Sequence, residues 1–232
     1  VHIWDQISKQ YRAITTTGVV VYNSTNTTGL NQGSHNIPPF TSFWVKAGSG
    51  GGSITFTNTV RTTEIENKVF MKKQPELVRL DVTDENGNWD QAVVYFSDGA
   101  TAGFDNTFDA YKLKSLNAEV PTVYSVIGSA KASINALPPS EKEYSVPVVF
   151  EAATDGAEYT FSLNTDDYTM PHQIWLHDNK NGTVTDMRST SYNFKHDKQY
   201  SGNRFVLVFT SDPDAIPEPE ATKIIDFYTF ND

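Results

Sequence analysis

The chain reads as an all-β protein: a β-sandwich or jelly-roll-like domain followed by a smaller immunoglobulin-like sandwich. Three observations predict this. Helical periodicity is almost absent, short apolar or alternating runs recur between Asn, Gly, Ser and Thr clusters, and 12% of the 232 residues are aromatic while only 20% are charged. Large rings on short alternating runs are what a sheet buries on one face.

In order, the strand candidates are Val1 to Trp4, Gly18 to Tyr22, Ser42 to Lys46, Ser53 to Asn58, Val69 to Met71, Leu77 to Val82, Ala92 to Phe96, Thr122 to Ile127 and Ala132 to Leu137. Gly48 to Ser53 reads as a flexible hairpin tip, and without a Lys-Ser/Thr ending it is no phosphate loop. The segment Pro138 to Pro147 combines prolines, which cannot donate to a ladder, with a charged run, and so predicts a domain boundary. The expected units are 1–138, 139–212 and a tail, 213–232, holding a stiff acidic linker and the opening of a following domain. The second unit holds Val148 to Glu151, Glu158 to Leu163, Gln173 to Asp178, Val184 to Asp186, Tyr192 to Lys195 and Arg204 to Thr210. His177 to Thr183 predicts a hairpin, its Asn181-Gly182 step supplying positive φ. Arg204 to Phe209, apolar on both faces, predicts a central strand.

The formal charge of −10 argues against nucleic acid, whose phosphates require clustered Lys and Arg. With no cysteine, neither a disulfide nor a thiolate metal site can form. No apolar run approaches the ~20 residues that span a bilayer, and the opening VHIWDQ lacks a basic, then apolar, leader.

Few residues suggest chemistry. Asp84, Asn86, Asn88 and Asp90 alternate oxygen-bearing side chains as calcium loops do; the same Asn-Gly step is also ordinary hairpin chemistry, and that reading carries more weight. Phe104-Asp105 and Phe108-Asp109 stand four apart, which on a helical turn places both rings inward and both acids together, as caps rather than as a dyad. Trp89 and Trp44 are the two tryptophans to test as sugar-stacking platforms, although Phe43 and Val45 flank Trp44 as core residues would. Trp4 and Trp175 fall within strand patterns and predict buried rings. His2, His35, His172, His177 and His196 show no zinc spacing, and no Gly-x-Ser-x-Gly elbow supports a nucleophile. The expectation is therefore a protein that is not an enzyme.

An ordered series of motifs adds to this reading. It comprises Ile3-Trp4-Asp5 with Tyr11, Ile37 to Ala47 (IPPFTSFWVKA), Ile54 to Asn58 with Arg61, Val93 to Phe96, and Phe104 to Leu113. Val146-Pro147-Val148, Ile174 to Asp178 with Gly182-Thr183, Tyr192-Asn193-Phe194 and Asn203-Arg204-Phe205 complete it. The series resembles a module of surface and secreted Bacteroidota proteins that leave the cell by type IX secretion. It departs at Thr41, where that family usually has Gln, and at His177, where it has Glu; its upstream GNPYPS element has no counterpart. The resemblance implies a β-sandwich module preceding a sorting domain, exported to the surface or the medium, in adhesins, filament-like proteins or glycan-degrading enzymes, and no shared activity. The expected role is a non-catalytic structural or adhesive module, and the alternative is a carbohydrate-binding module on a polysaccharide-degrading enzyme. The expected partners are polysaccharide, a neighbouring surface protein, or a second copy at an open sheet edge.

Overall fold

The computed structural model describes residues 2–5, 10–15, 43–47, 49–61, 76–139, 143–200 and 202–211. The expected strands Gly18 to Tyr22 and Val69 to Met71, and the tail 213–232, lie outside them. The first three strands, β1 (His2–Asp5), β2 (Gln10–Ala13) and β3 (Phe43–Trp44), form a small sheet in the order β2-β1-β3. The stretch expected as a strand from Ser53 to Asn58 is instead irregular and exposed, ending in a 3-10 turn at Asn58–Val60. A Gly-rich approach and a Thr/Asn-rich sequence offer no continuous apolar face to repay the ordering entropy of a strand.

The other strands make a single sheet. They are β4 (Glu76–Asp84), β5 (Trp89–Phe96), β6 (Ala110–Tyr111), β7 (Thr122–Ile127), β8 (Ala130–Leu137), β9 (Glu143–Glu151), β10 (Glu158–Asn164), β11 (Gln173–Asp178), β12 (Thr183–Asp186), β13 (Tyr192–Lys195) and β14 (Phe205–Thr210). Their order is β12-β11-β14-β9-β7-β8-β5-β4-β10-β13, with β6 added on β8. All pairs are antiparallel except β5 with β8.

The second half of the boundary expected at 138–147 falls inside β9, and residues from both sides of it share one sheet and one core. The reason is the position of Pro147. Pro147 pairs with Val206 of β14, whereas the β7 ladder stops one residue short of it at Ser125↔Val148, and Tyr144, Val146 and Val148 alternate into the core. A proline where one of the two flanking ladders has ended is tolerated within a strand.

The sheet curls until its two halves face each other. Val78, Leu80 and Val82 of β4 and Ala92, Val94 and Phe96 of β5 point to the same interior as Val146 and Val148 of β9 and Phe205, Leu207 and Phe209 of β14. Rings span the gap: Phe161 meets Phe205 edge-on at 5.0 Å, Phe150 meets Phe194 at 5.0 Å and Phe96 meets Phe209 at 5.4 Å. Such edge-to-face pairs add to the area they bury. The two ends of the sheet are drawn together where Tyr192 of the end strand β13 donates a 2.8 Å hydrogen bond to Asp178 of β11, the strand next to the other end, leaving the sheet nearly closed.

The opposite face of β4, β5 and β8 is covered as well. Leu77, Val93, Tyr95, Ile134 and Ala136 pack with Ala13, Ala100, Ala110 and Phe108. The Phe104 to Leu113 segment supplies this lid as a turn rather than a helix. Phe104 stacks on Tyr111 at 4.2 Å, and Tyr95 donates to the Phe108 carbonyl at 2.9 Å. Asp109 fixes its position, one oxygen accepting from Ala136 N at 2.7 Å and the other from Asp105 N at 2.6 Å, while Asp105 accepts from Thr107 N at 2.7 Å. Both acids therefore satisfy backbone donors, as the capping interpretation expects.

Candidate functional site

The acidic loop closes the β4–β5 hairpin. Asp84 Oδ1 accepts from the N–H groups of Asn86 and Asn88 at 2.9 and 2.8 Å, and Oδ2 accepts from Asn88 Nδ2 at 2.9 Å. Gly87, at φ +80°, supplies the left-handed residue of the turn. Asp90 does not join this group. It lies buried near the start of β5, bonded to Lys112 and to Val123 N. The Asp84 oxygens are thus spent on the turn, and among the described residues no group of three or more His, Asp or Glu could hold a metal. Millimolar calcium is expected to leave the melting temperature unchanged; a rise on adding calcium would restore the loop as a ligand set.

The two tryptophans separate. Trp89 is half-buried at the start of β5, paired with Thr83. Trp44 is 57% exposed, which corrects the core expectation drawn from its neighbours. β3 is an edge strand of the small sheet, so Phe43 turns to the opposite side and meets Phe56 at 6.0 Å. Trp44 stands 6.4 Å from Tyr11, itself 5.0 Å from Trp4, and each pair is edge-to-face. Trp4 and Trp175 are half-buried rather than buried. The small sheet is tied to the main one by His2 Nε2, which donates to the Tyr111 carbonyl at 2.6 Å, and by Lys46 Nζ, 3.3 Å above the Tyr111 ring.

A buried polar cluster was not anticipated as a unit. The Asp178 carboxylate, at the end of β11, is fully buried against the Arg204 guanidinium: Arg204 Nε lies 3.0 and 3.1 Å from its two oxygens and Nη2 2.8 Å from Oδ2. Arg204 Nη1 donates to Lys195 O at 2.6 Å, and the guanidinium sits 5.0 and 4.7 Å from the Phe194 and Phe205 rings. Asp178 also accepts from Tyr192 Oη and from Lys180 N at 3.0 Å. Three segments singled out in the sequence, Ile174 to Asp178, Tyr192 to Phe194 and Asn203 to Phe205, thereby converge on one ion pair. The sequence signal was available: charges at the margins of otherwise apolar runs are buried only when paired.

Two of the described histidines, His172 and His196, serve packing. His172 Nδ1 lies 2.7 Å from Tyr168 Oη, and its ring stacks on Phe96. His196 wedges edge-on between Phe150 and Tyr159. Burial lowers His2 and His196 from 6.5, so both favour the fold above that value, and this contribution falls away as the pH drops toward their lowered values.

Asp81 has the opposite sign. Its Oδ1 accepts from Gln91 Nε2 at 2.6 Å, and burial pushes it up from 3.8 to about 6. Because the folded value is raised, this group favours the fold below 3.8, and that contribution disappears as the pH climbs through about 6. Asp81→Asn keeps an oxygen for Gln91 and removes the buried charge. It is expected to raise stability by about 1–3 kcal/mol near neutral pH and by almost nothing near pH ~4, as compared by denaturant unfolding at the two values.

Fold and site together define a nearly all-β protein on a large, nearly closed sheet in which the buried Asp178–Arg204 and Asp90–Lys112 pairs are held by hydrogen bonds. The chain belongs to a family described as a domain of unknown function, DUF8693, whose model matches residues 5–209. Neither the curated proteins nor the solved structures gave a match. Among the described residues no helix is long and apolar enough to cross a membrane.

Proposed function

We propose that the chain is a non-catalytic, exported structural or adhesive module of a larger cell-surface protein, of the kind its motif series resembles in type IX secretion, and that the curled sheet is a β-sandwich. The observation that carries this reading is the fate of the motif residues. Asp178, Tyr192 and Arg204 build the buried joint between β11, β13 and β14, and Phe104 to Leu113 builds the lid on β5 and β8. Residues spent on the frame give a recurring series without a recurring activity.

The test is protease shaving of intact source cells, followed by detection of peptides from this chain. Peptides released from the surface support export; recovery from the cell interior alone contradicts it.

The second reading, a carbohydrate-binding module, draws on the exposure of Trp44 beside Tyr11 and Trp4, since open rings are what sugar faces stack on. Pull-down on insoluble polysaccharides distinguishes the two. Binding lost in Trp44→Ala with an unchanged melting temperature favours the glycan reading, whereas absence of binding in the unaltered chain removes it.

A further inference from the structure

Asp90 and Lys112 are placed for bond formation as well as for packing. On β8, Ile134 pairs with both Val93 of β5 and Ala110 of β6, and Ala132 pairs with both Ser125 of β7 and Tyr111 of β6. With β6 along one edge, β5 and β7 meet the other edge of β8 in succession, and Asp90 occupies the place where they part. Lys112 Nζ lies 2.6 Å from Asp90 Oδ1 and 2.5 Å from Oδ2, and each side chain is only 6% exposed. Backbone groups orient both partners: Val123 N–H donates to Oδ2 at 2.6 Å, and Lys112 Nζ donates to Gln91 O at 3.3 Å.

We propose that Lys112 and Asp90 condense into an intramolecular amide bond that joins β5 covalently to the segment following β6. Removal from water takes the hydration of each charge away, which narrows the gap between the ion pair and its neutral form. Burial pushes the Asp90 carboxyl upward against the pull of Lys112, in the same direction. Transfer of one proton from the ammonium to Oδ1 leaves an amine in contact with a carboxylic acid. The nitrogen lone pair attacks Cγ and forms the C–N bond, while the developing charge on Oδ2 rests on the Val123 N–H, in the manner of an oxyanion hole. The Cγ–Oδ1 bond then breaks, and Oδ1 leaves as water, carrying the transferred proton and a second one from nitrogen. One amide and one water result, with no change of oxidation state and no cofactor. The fold holds the reacting groups at contact, so the step is intramolecular and needs no encounter.

Intact-mass spectrometry of the purified chain, folded by circular dichroism and denatured just before injection, tests this. The expected mass is that of the sequence less one water. Digestion should yield a branched peptide linking the Lys112 and Asp90 segments with no tryptic cut after Lys112, and Lys112→Arg should return the full sequence mass. A folded chain at full sequence mass overturns the proposal. So does a water loss that persists in Lys112→Arg, because it must then arise elsewhere.

Discussion

Arg204→Met is expected to destabilise the protein by about 3–5 kcal/mol, because it leaves the Asp178 carboxylate buried without its counter-charge. Three kinds of contact disappear together: the hydrogen bonds to Asp178, the bond to Lys195 O, and the guanidinium packing on Phe194 and Phe205. Arg204→Lys should not rescue it, since one ammonium cannot reproduce the fork that binds Asp178 through Nε and Nη2 while Nη1 reaches Lys195. Removing both charges, as Asp178→Leu with Arg204→Met, should recover part of the loss, because the remaining cost of a buried lone charge is gone. Urea unfolding of the four chains measures this. Equal losses in the single and double variants would show that packing, not the unpaired charge, dominates.

Phe161→Ala is expected to cost about 3–5 kcal/mol. The ring is fully buried in β10 and touches Phe150 and Phe205 of the opposing half and Phe194 of its neighbour β13. Its removal opens a cavity whose walls include β9, β10 and β14, each hydrogen-bonded to a strand on both sides, which cannot collapse inward without breaking their ladders. Phe161→Leu, which keeps more of the volume, should cost clearly less. If Ala and Leu lose equal amounts, the rings do not pack across the sheet as described.

Strand identity was largely legible in the sequence because alternation and turn chemistry are local. Thr122 to Ile127, Gln173 to Asp178 and Tyr192 to Lys195 match β7, β11 and β13 residue for residue, and the Asn181-Gly182 step closes the β11–β12 hairpin as read. Connectivity was less legible. Pro147 looks like a breaker until its register places it beyond the end of the β7 ladder, and the pairing of β9 with both β7 and β14 is a long-range fact that no local pattern encodes. Trp44 illustrates the same limit: its apolar neighbours suggest a core, but exposure depends on β3 being an edge. The Asp90–Lys112 and Asp178–Arg204 pairs show the same limit: a charge beside an apolar run signals that it needs a partner, but which residue, 22 or 26 positions away, supplies it is known only once the strands have paired.

The central claim is that residues on either side of 138–147 fold as one sheet around one core. Hydrogen-exchange mass spectrometry across a urea series reads it directly, comparing peptides from β4 to β8 with peptides from β9 to β14. A single shared midpoint for both sets is the predicted result. Two separated midpoints, one set losing protection while the other keeps it, would contradict the claim.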